Sequence, residues 1–337
     1  MQVRKAYMHA VIAAVALSAS LVWMSHAATV GFDEWMAALR DEARTKGISE
    51  VTLDAALTGV KPVERVVELD RNQPEFKKDF WSYLDLMVNK MRIVRGRWML
   101  FRHHDLLEKI REHYGVQPRF LVAIWGLETN FGSNLGGFPV VQSLVTLAYD
   151  DRRSDFFRGE LLNALKILDE GHIDVGGMQG SWAGAMGQLQ FMPSTFIRFA
   201  VDENNDGKKD IWQSLPDVFA SAANFLAGYN WRGDMTWGRE VRLPPGFDQQ
   251  LAGIDTSMSL SEWRKKGVLR IDGSPLPVFD TEASLVMPSG ADGPAFLVYQ
   301  NYRAIMRWNH SHLYALAVCH LADRIAGGGP LKSRGTH

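Results

Sequence analysis

The stretch Pro118-Arg119-Phe120-Leu121-Val122-Ala123-Ile124-Trp125-Gly126-Leu127-Glu128-Thr129-Asn130-Phe131-Gly132 decides how the rest of the chain is read. Proline suits the first turn of a helix, where its missing N–H costs nothing. Phe120, Leu121, Ile124, Trp125 and Leu127 continue the helix, and Asn130 and Gly132 are stop signals. Glu128 therefore falls in the last turn. The carbonyl end of a helix penalises a carboxylate, and Trp125, Phe131 and nearby apolar groups desolvate it, so both effects raise its pKa. A carboxylic acid that holds its proton near neutral pH can deliver it to a leaving oxygen. The competing reading is an ordinary exposed glutamate near a helix end.

Downstream, Gly180-Ser181-Trp182-Ala183-Gly184-Ala185-Met186-Gly187-Gln188-Leu189-Gln190-Phe191-Met192-Pro193-Ser194 is rich in small residues that let a ligand approach the backbone. Ser181, Gln188 and Gln190 offer neutral donors and acceptors suited to hydroxyl and acetamido groups, and Trp182 and Phe191 offer flat faces to sugar rings. A glycine-rich packing loop is the alternative. Next comes Asp202-Glu203-Asn204-Asn205-Asp206-Gly207-Lys208-Lys209-Asp210, with oxygen ligands at positions 1, 3 and 5, glycine at 6 and the Lys208 carbonyl at 7, as in an EF-hand calcium loop. Gln213 replaces the usual closing glutamate, so a capped acidic turn stays open as the other reading. The histidines, including His103-His104 and His310/His312, lack convincing ligand partners, and no zinc is expected.

The motifs at 126–132, 180–194 and 202–212, with Glu68-Leu69-Asp70-Arg71-Asn72-Gln73-Pro74-Glu75-Phe76 near the start, resemble the soluble relatives of the membrane-bound lytic murein transglycosylase B family. The resemblance covers most of the chain after the leader. It implies a mainly α (α+β) fold, a lysozyme-like helical core with an additional helical domain and a small β-rich subdomain. It also implies that Glu128 is the sole catalytic carboxylate, that Ser181 and Gln190 line the glycan groove, and that Arg152 and Arg153 face the substrate. Asn309 matches the asparagine of the family's Tyr-Asn pair, with Trp308 in place of the tyrosine, which puts a phenolic role there in doubt. Asp217 on the following helix would close the acidic loop, joining Asp202, Asn204, Asp206 and Lys208 in holding a structural calcium. The bland readings are a solvated turn for Arg152 and Arg153, a backbone cap for Asn309 and core packing for Trp308.

The activity implied is cleavage of the β-1,4 bond between N-acetylmuramic acid and N-acetylglucosamine, with the muramoyl C6 hydroxyl as nucleophile and a 1,6-anhydromuramoyl end as product. Glu128 would serve first as acid and then as base, with no cofactor for the chemistry. The alternatives are a muramidase that uses water, a catalytically silent peptidoglycan-binding protein, and a calcium sensor, which the single loop disfavours.

The rest of the chain sets bounds. Its 337 residues are 46% hydrophobic with a formal net charge of -1, enough apolar material for a sizeable core and no footprint for nucleic acid. Arg4 and Lys5 precede an apolar run ending near Met24, and Ser25 and Ala27 suit a cut before Ala28, which reads as a secretory signal peptide and places the protein in the periplasm. An uncleaved anchor is the alternative. The single Cys319 permits no intrachain disulfide and reads as a buried thiol, and no cysteine stands where a lipid anchor would attach. Phe32, Trp35, Met36, Leu39 and then Trp81, Leu84, Met87, Val88 and Met91 mark helices, with Val60 to Pro74 an irregular connection between them. After Trp237, the runs Arg239–Leu243, Val268–Ile271, Ala283–Met287 and Ala295–Val298 read as strands, and helix returns from Tyr302 to Ile325. The expected organisation is leader 1–27, N-terminal helical domain 28–115, catalytic core 116–237, β-rich subdomain 238–300, and a returning helix with a frayed tail, 301–337.

Overall fold

The structure is a computed structural model that describes residues 31–72 and 78–334. The expected leader, residues 1–27, and the Gln73-to-Phe76 part of the first motif lie outside the described residues. Six helices come first: α1 (Phe32–Thr45), α2 (Glu50–Leu57), α3 (Glu64–Arg71), α4 (Phe80–Met87), α5 (Lys90–Arg102) and α6 (His104–Tyr114). The central group is α7 (Pro118–Thr129), α8 (Val140–Tyr149), α9 (Ser154–Asp169), α10 (Pro193–Phe199) and α11 (Leu215–Gly228). A short α12 (Leu260–Lys265) precedes the closing pair α13 (Gln300–Trp308) and α14 (His312–Ile325).

Local chemistry explains many of the starts. Ser49, Asp79, Asn89, Ser214 and Ser311 accept backbone N–H bonds at helix N-termini, and Ser259 forms a capping box with Glu262. Proline opens α7, α10 and α11. The stretch from Val60 to Pro74, read as irregular because prolines bracket it, contains α3, whose first turn is acidic and last turn basic, as the helix dipole favours. Met91, one of the apolar residues that mark these helices, is exposed.

Two short strands, β1 (Phe138–Pro139) and β2 (Gln179–Gly180), pair beside the central helices. The remaining strands, β3 (Gly238–Arg242), β4 (Met258–Ser259), β5 (Leu269–Arg270), β6 (Glu282–Val286) and β7 (Ala295–Val298), form one antiparallel sheet in the order β4-β6-β7-β3-β5. Four of them fall within a residue or two of the runs read from the sequence. β7 is buried on both faces, and its side chains alternate between two cores. Phe296 and Val298 join the main core, while Ala295 and Leu297 join a smaller one built around the fully buried Trp263.

The main core runs from Leu39 to Ile325, so the helices before residue 116 share it with those after. At its centre lies α7, buried without interruption from Phe120 to Gly126 and packed by α5, α6, α11 and α14. A helix apolar all round belongs in such a position. Cys319 is buried in α14, and burial pushes its thiol well above the usual range. No helix among the described residues is long and apolar enough to cross a membrane.

Candidate active site

The site begins where α7 ends. Asn130, Phe131 and Gly132 all take left-handed backbone angles, with φ of 50°, 60° and 73°. A phenylalanine there is strained by about 1–3 kcal/mol and needs surrounding structure to hold it. Its ring folds back over α7 above Gly126, where an added Cβ would lie 2.7 Å from the ring carbons. The ring meets Trp125 edge-on at 5.6 Å. The Thr129 hydroxyl donates to the Gln188 carbonyl at 2.9 Å and accepts from the Gly132 N–H at 3.1 Å. Gly126, Thr129, Asn130, Phe131 and Gly132 thus help fix where the helix stops, and so where Glu128 points.

Gln188 joins this helix end to the rest of the site. Its Oε1 accepts from Trp125 Nε1 at 2.7 Å and its Nε2 donates to the Trp212 carbonyl at 2.8 Å, with the side chain buried. The sequence offers it as a sugar-binding amide; burial, with a protein partner on each end of the amide, makes it a tie instead. Gln188→Leu leaves the Trp125 N–H and the Trp212 carbonyl unpaired in the core. We expect a loss of about 2–4 kcal/mol in urea unfolding, and an unchanged midpoint would refute the tie.

A cavity of about 440 Å³ opens over Glu128, lined by Lys78, Tyr83, Leu86, Met87, Leu127, Asn309 and Tyr314. Glu128 is half-buried, and its Oε1 accepts from Trp308 Nε1 at 2.9 Å and from the Tyr314 hydroxyl. Burial first, then the charge of Glu128 and the bond to it, push the Tyr314 phenol well above its usual range, so it remains a proton-bearing donor. The Trp308 ring is held by Phe225 at 4.8 Å and Phe191 at 5.1 Å. Asn309 sits at the break between α13 and α14, exposed at the cavity, with its backbone N–H on the Ile305 carbonyl and its own carbonyl accepting from Ser311.

Trp308 packs on the core as its bland reading has it and also turns its indole N–H to the carboxylate, a role the sequence reading missed together with Tyr314, which was not singled out at all. A phenolic hydroxyl does reach the carboxylate, from α14 rather than from position 308. No local pattern marks Tyr314; it is one apolar-face residue of an amphipathic helix until the fold closes.

The other expected substrate residues are not among the side chains that line this cavity. Ser181 Oγ accepts from the N–H groups of Ala183 and Ala185, at 3.3 and 3.0 Å, and so shapes its own loop. Gln190, at a φ of 50°, donates to the Leu135 and Gly187 carbonyls, both at 3.1 Å. Neither lines the cavity. Phe191 is buried and offers no sugar platform. The glycines of this loop serve protein packing: a Cβ on Gly180 would lie 2.1 Å from the Ala185 carbonyl oxygen. Arg152 and Arg153 both turn to the buried Asp70, Arg152 Nη1 at 2.9 Å from Oδ2 and Arg153 Nη2 on Oδ1. They pin α3 to the turn before α9 and are absent from the cavity lining.

The acidic loop is bent as its sequence suggests. Asp202 accepts from the N–H groups of Asp206 and Gly207, Asn204 Oδ1 from Asp206 N–H, and Asp206 Oδ1 from Lys208 N–H, at 2.8 to 3.2 Å. Asp217, fully buried, accepts from Glu203 N–H at 2.9 Å and Asp210 N–H at 2.8 Å, so it closes the loop by clasping backbone. Burial pushes its carboxyl up, and the backbone donors pull it back. Among the described residues no group of three or more His, Cys, Asp or Glu is gathered to hold a metal. The hard oxygens of Asp202, Asn204, Asp206 and the Lys208 carbonyl still fit a calcium ion, because an amide and a carbonyl supply half the donors.

Comparison with known proteins places this arrangement. The family described as the Transglycosylase SLT domain matches residues 31–323. Membrane-bound lytic murein transglycosylase B of Escherichia coli (strain K12) is 30% identical over 295 residues, 83% of this chain and 79% of that protein. The crystal structure of SltB3 from Pseudomonas aeruginosa with NAG-anhNAM-pentapeptide is similar at a TM-score of 0.87 with 46% identity, covering 89% of this chain and 81% of that one. The Escherichia coli lytic transglycosylase Slt35 in complex with calcium follows at a TM-score of 0.75 and 28% identity, over 86% and 92% of the two chains. A family match that spans the central helices, the sheet and the returning helix that delivers Tyr314 leaves one assignment: the chain belongs to the Transglycosylase SLT domain family and is a lytic transglycosylase of peptidoglycan.

Proposed function

We propose that Glu128 cuts the β-1,4 bond between N-acetylmuramic acid and N-acetylglucosamine, first as acid and then as base, leaving a 1,6-anhydromuramoyl end. The observation that carries this reading is the half-buried carboxyl in a sugar-sized cavity, with Oε1 held by two donors from the far end of the chain. The two donors fix the orientation of the carboxyl that delivers the proton to the glycosidic oxygen. Once that proton is gone, Trp308 and Tyr314 stabilise the carboxylate that must take the proton of the C6 hydroxyl. An intramolecular hydroxyl carries little of the entropic barrier a free water meets, so no second carboxylate is required. A related protein binding an anhydro-muramoyl compound supports the same product. Asn309, at the cavity edge, is the side chain we assign to glycan contact, and Ser181 and Gln190 shape the loop whose Phe191 packs against Trp308.

Mass spectrometry of the muropeptides released from purified sacculi tests the reaction. Anhydromuramoyl ends are expected; reducing ends would mean that water is the nucleophile, and no release would leave a binding protein. We also assign the protein to the periplasm, reached by cleavage before Ala28.

Calcium, when bound, stabilises the acidic loop and takes no part in proton transfer. Asp202, Asn204, Asp206 and the Lys208 carbonyl would hold it, with Asp217 keeping the loop closed. At calcium ten times its Kd, about 1.4 kcal/mol of stabilisation follows, or about 2 °C in Tm. Thermal unfolding at millimolar calcium, with Asp202→Asn alongside, checks this; equal Tm values with and without calcium would leave a capped turn.

A further inference from the structure

We propose that the outer face of α5 docks on an anionic phospholipid bilayer. Of the nine large apolar side chains exposed among the described residues, five lie between Leu86 and Phe101. At about 100° per residue, Met91, Val94, Trp98 and Phe101 fall on one stripe of α5, roughly 80° wide. They are 78, 54, 48 and 82% exposed, while Ile93, Gly96 and Met99 face the core.

The charge on this helix has one sign. It carries Lys90, Arg92, Arg95, Arg97 and Arg102 and no acid. By the same helical count, Lys90 and Arg97 flank the stripe on one side and Arg95 and Arg102 on the other. The Arg102 guanidinium lies 4.8 Å over the Trp98 ring, and Arg97 bonds back to the Arg324 carbonyl at 2.8 and 3.1 Å. An aromatic and aliphatic ridge with cations on both sides, Lys90 and Arg102 beside Arg97 on the Arg324 carbonyl and Arg95 on the Ser133 hydroxyl, suits a membrane interface, where apolar groups enter the acyl boundary and cationic groups stay among phosphates. A second copy of the chain meeting this face would bring two cationic helices together, which like-charge repulsion opposes. None of the four stripe residues lines the Glu128 cavity.

The test uses residues 28–337, which keep every described residue and remove the apolar leader that would bind lipid by itself. Co-sedimentation with vesicles of phosphatidylglycerol in phosphatidylcholine is expected, weakening with added salt and nearly absent with phosphatidylcholine alone. The double variant Trp98→Ser/Phe101→Ser should lower vesicle affinity at least about tenfold while turnover of soluble glycan oligomers stays unchanged. Failure to pellet with the anionic vesicles, or pelleting equal in the double variant, would overturn the assignment. So would a concentration-dependent dimer in sedimentation velocity that the double variant abolishes, since the stripe would then belong to a second copy.

Discussion

Glu128→Gln is expected to release no anhydromuramoyl product from sacculi while still binding them. Glutamine keeps the shape of the side chain and an oxygen that accepts from Trp308 Nε1 and the Tyr314 hydroxyl, so the cavity walls have no reason to move. What it lacks is the proton for the glycosidic oxygen and the anionic oxygen for the C6 hydroxyl. Acid or base catalysis alone contributes about 10²–10⁴-fold, and here one group supplies both, so a fall of at least about 10³-fold in turnover follows. A sedimentation assay with sacculi separates lost chemistry from lost binding. Turnover within tenfold of the parent would remove Glu128 from the reaction and direct attention to another group at the cavity.

Much of this site is legible in the chain because its signals are local. Pro118 opens α7, Asn130 and Gly132 end it, and the carboxyl must then lie in the last turn. The strand runs of the β-rich part are equally local, since β6 and β7 are marked by their own composition; β4, two residues long, carries too little pattern to be seen. What the sequence hides is partnership between distant segments. Asp70 lies 82 and 83 residues from the arginines that clasp it, and nothing in Asp150-Asp151-Arg152-Arg153 tells a substrate-facing cation from one folded onto a buried acid. The glycine-rich loop shows the same limit in another form. Small residues mark close approach of something to the backbone, and composition alone does not say whether that is a sugar or, as at Gly180 and Ala185, another carbonyl of the same loop. Among Ser181, Gln188 and Gln190, only the folded chain shows which side chain is buried.

The two donors on Glu128 are the furthest from legible, arriving across 180 and 186 residues of chain, and they give the second large effect. Tyr314→Phe keeps the buried ring and removes only the hydroxyl. A hydrogen bond to a charged group contributes about 1.5–3 kcal/mol, and this one strengthens as Glu128 becomes anionic, so kcat should fall about 10–100-fold with KM nearly constant. A merely structural tyrosine would instead lower the unfolding midpoint and leave kcat of the folded fraction intact. Trp308→Phe removes the other donor and should act in the same direction. Trp308→Tyr restores a donor of different reach and should recover part of what phenylalanine loses. Equal kcat for the two substitutions would mean that the indole is there to pack against Phe191 and Phe225. Because both donors act on one oxygen, the Trp308→Phe/Tyr314→Phe pair should lose less than the product of the single effects, as happens when residues act through the same group.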